Sequence, residues 1–272
     1  SAFTFHGTGT YILGSGQVAI IDPGPNDETH IDAILDALDG EEVSHILVTH
    51  THMDHSPGCR LLQAKTGAPT YAFGPHGAGK IKQGVQVEEG GDMDFDPDHL
   101  VKHGDIIRGR DWTVECVYTP GHTSNHMCFA LQEEKALFSG DHVMAWSTSI
   151  ISPPDGDMAA YMDSLKLLLG RDDEIYWPTH GPSIIDPKTH VQAFIDHRLE
   201  RERQILECIN QGTYHIRDMV PLMYKDTPEF MYPAAARSVL AAMENLVRNQ
   251  QVRVEGEGGD PNMGLDSTYY PA

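Results

Sequence analysis

Basic side chains are scarce in this sequence. Its 272 residues contain 19 Lys and Arg against 40 Asp and Glu, for a formal net charge of −21. Residues 1–186 carry most of the excess negative charge, with 28 acidic and 10 basic side chains. Residues 187–253 are nearly balanced, with 8 acidic and 9 basic side chains. Such a field repels a polyanion unless metal ions or a basic patch interrupt it. Nucleic acid is therefore disfavoured, though not excluded, as a partner of the first part of the chain.

Membrane segments, a leader sequence and paired cysteines are missing as well. No run of about 18 apolar residues occurs, which predicts no membrane span, and the N-terminal SAFTFHGTGTY lacks the features of a signal peptide. Cys59, Cys116, Cys128 and Cys208 are scattered without CxxC spacing, which favours reduced thiols over disulfides. We therefore expect a cytoplasmic protein. A targeting sequence ahead of Ser1 remains an alternative.

Several catalytic motifs do not occur. The absence of GxSxG, Walker A and GxGxxG leaves serine hydrolases, P-loop enzymes and dinucleotide-binding proteins without support. No cysteine lies in a local nucleophile motif. The composition, 40% hydrophobic and 22% charged, is ordinary for a globular protein. The length suits one large domain with an appendage.

The pattern of apolar residues changes near residue 187. Before it, short β runs such as HILVTH and ALFSGDHV alternate irregularly with helical runs, for example over about 58–66, and loops carry the polar motifs. This predicts an α/β layered fold for residues 1–186. Three helical runs and the strand-like QVRVEG follow, so residues 187–272 are predicted to form a helical, winged-helix-like module with a tail. We expect this module to line the active-site cleft, to mediate a homodimer, or to do both.

Residues 74–104 are rich in glycine and acid. Six carboxylates are concentrated there, namely Glu88, Glu89, Asp92, Asp94, Asp96 and Asp98. The pattern predicts a mobile, solvated surface loop. A calcium site is the alternative, although the spacing lacks the EF-hand pattern.

The stretch LVTHTHMDHSPG contains four side chains that can bind metal: His50, His52, Asp54 and His55. In an extended segment, residues two apart project to the same side, so His50 and His52 can share one metal. Asp54 and His55 follow on the turn and face a second position. Imidazole and carboxylate are typical ligands of catalytic zinc. The alternative is a surface turn in a chain that has 16 histidines.

Three further candidates have the same local context. His122 lies in TPGHTSNH, Asp141 in FSGDHV and His180 in WPTHGP, each directly after an apolar run. This places each side chain at the end of a predicted strand. If the strand ends meet at one edge of a layered sheet, they bring seven ligands together.

In this order, the seven residues resemble the ligand set of the metallo-β-lactamase-fold hydrolases. The short contexts THTHMDH, PGHT, SGD and HGP resemble that family too. The resemblance implies a four-layer αββα sandwich. It also implies the ligand sets His50, His52 and His122 for one zinc, Asp54, His55 and His180 for a second, and Asp141 as the bridge. Asp22 in IIDPG matches an early strand-end aspartate of the family, which orients a ligand from outside the metal's own shell.

A narrower resemblance covers most of the chain. THMDHSPG, YTPGHTSNHMCFAL, YMDSLKLLL and HRLERERQIL, followed by a winged-helix-like tail, are similar to the β-lactamase-like endoribonucleases. This resemblance implies single-stranded RNA as a substrate. The acidic residues 74–104 do not match that group.

Other polar residues receive structural interpretations. His126 is expected to form a pocket wall or a hydrogen bond rather than to bind metal. Arg198, Arg201 and Arg203 can contact phosphates, but their acidic neighbours favour a solvated helix face.

Together these patterns predict a metal-dependent hydrolase with a binuclear zinc centre, in which Mn²⁺ or Fe can replace zinc. Two metals lower the pKa of a bridging water and polarise the scissile group, and Asp54 is predicted to be catalytic by accepting a hydrogen bond from that water. The ligands do not specify the substrate. Phosphodiester hydrolysis of single-stranded RNA is the first hypothesis, a small-molecule acyl hydrolase (thioester, lactone or β-lactam) the second, and a di-iron redox or binding module the third.

Overall fold

The computed structural model describes residues 4, 6–79, 90–255 and 263–272. The first sheet has five strands in chain order: β1 (Tyr11–Leu13), β2 (Gln17–Ile21), β3 (Glu42–Leu47), β4 (Thr70–Ala72) and β5 (His99–Leu100). β1 and β2 are antiparallel, and β2 to β5 are parallel to one another.

The second sheet also has five strands, with the order β10-β9-β8-β7-β6. Its members are β6 (Ile106–Arg108), β7 (Thr113–Tyr118), β8 (Met127–Leu131), β9 (Ala136–Gly140) and β10 (Ile175–Pro178). Neighbours are antiparallel except for β9 and β10, which are parallel.

Alternation along β2 explains why the sheets stack face to face. Val18 and Ile20 pack against the helices α1 (Glu28–Ala37) and α2 (Gly58–Thr66), whereas Ala19 and Ile21 enter the core between the sheets. Successive strand residues point to opposite faces, so a strand buried on both sides is apolar throughout. The helix α3 (Met158–Leu169) packs on the outer face of the second sheet. The four-layer αββα prediction is confirmed.

The last part of the chain contains three helices followed by a strand, as the sequence predicts, and the strand belongs to a small sheet. These elements are α4 (Pro187–Asn210), α5 (Ile216–Met223), α6 (Tyr232–Arg248), β11 (Val252–Val254) and β12 (Tyr269–Pro271). β12 pairs with β11 and was not predicted. One apolar core runs from the second sheet through α3 into these helices. No described helix is long and apolar enough to span a membrane.

The acidic segment differs from the prediction. Asp92 is 5% exposed and accepts hydrogen bonds from Ser56 Oγ and Arg60 Nη2, both at 3.1 Å. Asp98 accepts from the backbone and the hydroxyl of Thr70, at 2.9 and 2.8 Å. The prediction of a solvated loop is therefore wrong for Asp92, whereas Asp94, Asp96 and Asp98 are exposed as predicted. Glu88 and Glu89 lie outside the described residues.

Candidate metal centre

The residues predicted as ligands follow strands that end at one edge of the two sheets. The stretch from His50 to His55 follows β3, His122 follows β7, Asp141 follows β9 and His180 follows β10. Strands β7, β9 and β10 run in the same direction. Their carboxyl ends therefore meet, and topology brings together residues that are far apart in sequence.

One group of candidate ligands consists of three imidazoles. His50 Nε2 lies 3.0 Å from His52 Nδ1, and His122 Nε2 lies 3.1 Å from the same nitrogen. Nitrogens that bind one zinc tetrahedrally at 2.0–2.1 Å stand about 3.4 Å apart, close to this spacing. Burial, and then the neighbouring histidines, lower the pKa of His50 and His52. Both rings are thus neutral, as metal binding requires.

A second group combines Asp54, His55 and His180. Asp54 Oδ2 lies 3.4 Å from His55 Nε2 and 3.4 Å from His180 Nε2. Asp141 stands between the two groups, since its Oδ2 is 3.3 Å from His180 Nε2 and 3.7 Å from His122 Nε2. Its other oxygen, Oδ1, is 3.6 Å from His55 Nε2. This carboxylate is therefore placed to bridge two ions.

The donor atoms fit divalent cations. His55 Nε2 is buried beside the carboxylates without a hydrogen-bond partner, as expected of an atom directed at a metal. Burial raises the pKa of Asp54 and Asp141, but His55 and His180 outweigh it and hold both values well below the usual range. Imidazole and carboxylate donors suit zinc and other divalent ions. The structure thus brings all seven candidates together, and metal binding by each of them remains a prediction.

Asp22 supports this arrangement from behind. The residue has a left-handed backbone (φ 49°) at the end of β2. Its carboxylate accepts a hydrogen bond from His55 Nδ1 at 2.9 Å and from the Thr49 backbone and hydroxyl at 2.8 and 2.6 Å. A proton held on Nδ1 leaves Nε2 of the same ring free to bind a metal. This geometry agrees with the predicted role of Asp22, which is to orient a candidate metal ligand without binding the metal itself.

Backbone carbonyls orient two other histidines in the same way. His122 Nδ1 donates to the carbonyl of Ile150 at 2.7 Å, and His180 Nδ1 donates to the carbonyl of Gly7 at 3.0 Å. In each ring Nε2 faces the centre. Carbonyl partners leave no trace in the sequence, because any residue can provide one.

Two threonines at the centre were missed by the sequence analysis. Thr8 Oγ1 donates to Asp54 Oδ2 at 2.6 Å, and Thr179 Oγ1 donates to Asp141 Oδ1 at 3.1 Å. Thr179 directly precedes His180, so its position next to a candidate ligand is the only sequence signal. Thr8 lies far from every metal-binding motif in the sequence, so no sequence signal indicates its role.

His126 lies directly behind the candidate ligands and is fully buried. Its Nε2 accepts a hydrogen bond from the Asp141 backbone at 3.2 Å, and its Nδ1 lies 2.9 Å from Thr119 Oγ1. Gly140 passes close to this ring, because a Cβ there would lie 2.6 Å from Nε2. The ring therefore supports the backbone that carries Asp141.

A cavity of about 270 Å³ adjoins the centre. His122 and Asp141 belong to its lining, together with apolar residues of the loop after β9 and of the segment around the start of α6. These apolar residues include Met144, Ile150, Met231, Ala234 and Ala235. The sequence does not reveal this lining, because it depends on how the C-terminal helices pack against the first part of the chain.

Two of the three arginines on α4 correct the prediction of a solvated helix face. Arg203 is 61% exposed and pairs with Glu200 and Glu207, as predicted. Arg198, in contrast, is only 5% exposed, and both it and Arg201 line the cavity. The three positions share a helix but point in different directions.

Comparison with known families agrees with this geometry. Residues 4–180 match the model of the Metallo-beta-lactamase superfamily. The chain belongs to this superfamily. Residues 216–260 match the Beta-lactamase associated winged helix domain, which confirms a winged helix after the two-sheet fold. The chain is thus a hydrolase of the metallo-beta-lactamase superfamily whose His/Asp cluster can bind divalent metals.

Individual relatives extend over nearly the whole chain. A beta-lactamase-like protein 2 homolog from Drosophila melanogaster is 33% identical over 93% of this chain and 87% of its own length. An atrochrysone carboxyl ACP thioesterase from a Cryptosporiopsis species is 32% identical over 83% of this chain and 69% of its own. The crystal structure of a metallo-beta-lactamase family protein from Thermus thermophilus shares the fold, with a TM-score of 0.77 at 17% identity, covering 97% and 94% of the two chains.

Proposed function

We propose that the protein hydrolyses small acyl thioesters with two divalent metal ions, which we expect to be zinc. The observation that carries this proposal is the cavity of about 270 Å³ that His122 and Asp141 line together with several apolar side chains. Small-molecule sites of about 300–1,000 Å³ are typical of proteins. The cavity is therefore close to the size of a small-molecule site.

The apolar part of the cavity lining favours an apolar acyl chain. Burial of an apolar chain against its methionine and alanine side chains lowers the free energy of the complex. A neutral acyl group is also not repelled by the net charge of −21. The relative from Cryptosporiopsis, named as a thioesterase, supports the same reaction class.

Residues of the chain have distinct roles in the proposed reaction. When bound, two divalent ions supply Lewis acidity at the carbonyl and hydroxide near neutral pH. Asp54, fixed by Thr8 at 2.6 Å, orients the attacking water by accepting its hydrogen bond. The depressed pKa of Asp54 and Asp141 prevents either from donating a proton. A thiol leaving group, with a pKa of about 8.5, departs as thiolate without such a donor.

We further propose that residues 1–186 form the catalytic unit and that residues 187–272 close its cleft. Arg198 and Arg201 on α4, and Met231 and Ala234 at the start of α6, line the cavity together with His122. Residues 187–272 would then select the substrate, and residues 1–186 would perform the hydrolysis.

Thiol release from metal-loaded protein tests the thioesterase proposal. N-acetylcysteamine thioesters of two to ten carbons are the substrates, and zinc, manganese and iron are each tried. We expect turnover of the short chains and a loss of about 10²-fold or more in kcat/KM for Asp54→Asn. The exposed Arg203→Gln is the matched control. Thiol release no faster than that by the free metal ion, with every metal and chain length, contradicts the proposal.

Cleavage of single-stranded RNA is the second candidate. It is supported by the two arginines of the cavity, which suit phosphate recognition, and by the motifs similar to the endoribonucleases. The negative charge of residues 1–186 weakens it. End-labelled single-stranded RNA incubated with each metal-loaded form is the test. Cleavage that disappears in Asp54→Asn supports this candidate, and intact RNA with every metal overturns it.

A further inference from the structure

Three polar side chains of α4 face the cavity from the side of the C-terminal helices. They are His197, Arg198 and Arg201. Arg198 is 5% exposed, so its positive charge is buried. None of the candidate metal ligands lies on α4. Burying a charge costs free energy unless a partner compensates it.

The donors of these arginines are only partly used. Arg198 Nη2 donates to the Ser149 carbonyl, and Arg201 Nη1 donates to the Met223 carbonyl at 2.7 Å and to Gln204 Oε1 at 2.9 Å. The buried Nε atoms of both guanidinium groups have no hydrogen-bond partner within the part of the chain that the structure describes. Neither side chain forms an ion pair with a described carboxylate. These donors are therefore available to an anion.

Aromatic rings hold the two guanidinium groups in place. Arg198 Cζ lies 5.2 Å from the centre of the Tyr161 ring, and Arg201 Cζ lies 4.2 Å from that of Tyr224. Such contacts orient a guanidinium group without neutralising its charge. The site is thus preorganised, and its positive charge remains to be balanced.

The pKa of His197 is affected by the positive charges of the two arginines. Burial, and then the charges of Arg198 and Arg201, lower its pKa to about 4, and its Nδ1 has no hydrogen-bond partner among the described residues. Glu200, which lies between Arg198 and Arg201 in the sequence, pairs with Arg203 instead. At neutral pH the site therefore presents two cations and a neutral imidazole.

We propose that Arg198 and Arg201 bind an anionic group of the substrate, a carboxylate or a phosphate, in the cavity that adjoins the metal centre. The proposal rests on the thioesterase function in that the substrate fills this cavity. A substrate of this class has a scissile carbonyl at one end and an anionic group at the other, with an apolar segment between them. Guanidinium groups suit both anions, because their planar donors match paired oxygens.

Arg198 also has a structural role, which decides how the proposal is tested. Its acceptor Ser149 donates through Oγ to the Asp141 and His142 carbonyls. The next residue, Ile150, accepts from His122. Substitution of Arg198 therefore disturbs the centre itself, whereas Arg201 bonds only within the C-terminal helices and is the residue to change.

Matched substrates provide the experiment. Hexanoyl and adipoyl thioesters of N-acetylcysteamine have equal chain lengths and differ by the terminal carboxylate, and the coenzyme A thioesters of the same acids add phosphates on the thiol side. With metal-loaded full-length protein we expect an anionic substrate to be preferred. In Arg201→Gln the ratio of kcat/KM for that substrate over neutral hexanoyl should fall about 10-fold or more, because the variant loses a hydrogen bond between two charged groups. Arg203→Gln should keep the wild-type ratio.

Each outcome has one interpretation. A preference for adipoyl thioesters that Arg201→Gln removes identifies a carboxylate on the acyl chain, and a preference for coenzyme A thioesters that it removes identifies a phosphate. Turnover with equal ratios in wild type and Arg201→Gln overturns the anion site and leaves the thioesterase proposal standing. If no thioester is cleaved, calorimetric titration of adipate and inorganic phosphate decides. Binding lost in Arg201→Gln alone supports the anion site without the thioesterase, and equal or absent binding overturns it.

Discussion

Asp22 shows how much one residue outside the candidate ligand set can determine. It combines a backbone conformation that is uncommon for non-glycine residues (φ 49°) with three hydrogen bonds to His55 and Thr49. Such strain persists where the surroundings enforce it, which is often at functional sites. The carboxylate accepts the hydrogen bond from Nδ1 of His55 and so leaves Nε2 of that ring for a metal.

Substitution of Asp22 by asparagine tests this role. Asparagine tolerates the left-handed backbone, so the variant should fold, but it loses the charge that holds the Nδ1 proton of His55. We expect metal affinity at the site of His55 to fall about 10- to 100-fold, measured by competition with a chelator. Asp32→Asn, at an exposed pair with Lys65, is the control. Equal affinities in Asp22→Asn and wild type would contradict the assigned role.

His197 gives a prediction for the pH dependence of stability. Its pKa falls from the usual 6.5 to about 4 in the folded state, so the unfolded chain binds the proton more readily between these values. Stability attributable to this group is present above pH 6.5 and is lost as the pH falls towards 4. The free energy of unfolding of His197→Gln should therefore decline less than that of wild type over pH 6.5–4, in urea titrations at several pH values. Parallel declines would show that His197 is not the cause.

At the level of elements, the start of α2 lies very close to the backbone of the turn after β2. Gly58 begins the helix, and a Cβ there would lie 2.6 Å from the Pro23 carbonyl oxygen and 2.9 Å from that of Gly24. The turn that carries Asp22 therefore packs against α2 only because position 58 lacks a side chain.

Replacement of Gly58 by alanine is predicted to destabilise the protein. Helix propensity alone favours alanine by about 0.5–1 kcal/mol, but the clash with backbone oxygens should reverse the sign and cost about 1–3 kcal/mol. Gly170→Ala is the matched control, because it ends α3 with φ −77° and its nearest contact is 3.4 Å. Chemical unfolding of both variants measures the difference, and a stabilised Gly58→Ala would refute the packing argument.

For the whole molecule, the candidate metal ligands join the two sheets at their common edge. Metal that binds the folded state alone stabilises it by RT ln(1 + [L]/Kd), about 2.7 kcal/mol at a concentration of 100 Kd. Removal of metal with a chelator should lower Tm, and excess zinc should restore it. The variant His122→Ala should show a smaller shift, since it removes one ligand of three. A Tm indifferent to chelator and zinc would argue against metal binding to the folded protein.

The local patterns of the sequence predicted an α/β layered fold and the seven candidate ligands, and the family resemblance implied the four-layer αββα arrangement. Alternation in β2 and helical spacing in α2 encode burial directly. The ligands form short motifs after apolar runs, where strand ends place them. Asp92 was predicted incorrectly, because a buried aspartate bound to Arg60 and an exposed aspartate have the same sequence appearance.

The sequence by itself determined the chemistry of the centre: which side chains follow which strands, and that they are nitrogen and oxygen donors. Tertiary structure alone decided the neighbours. The threonine at Asp54, the carbonyls behind His122 and His180, and the arginines of the cavity come from segments distant in sequence. The physical reason is that periodicity specifies which face of an element is buried, whereas only the packing of α4 and α6 against the first part of the chain specifies what that face meets. Arg198 and Arg203 lie on one helix with similar neighbours, yet one is buried in the cavity and the other is solvated.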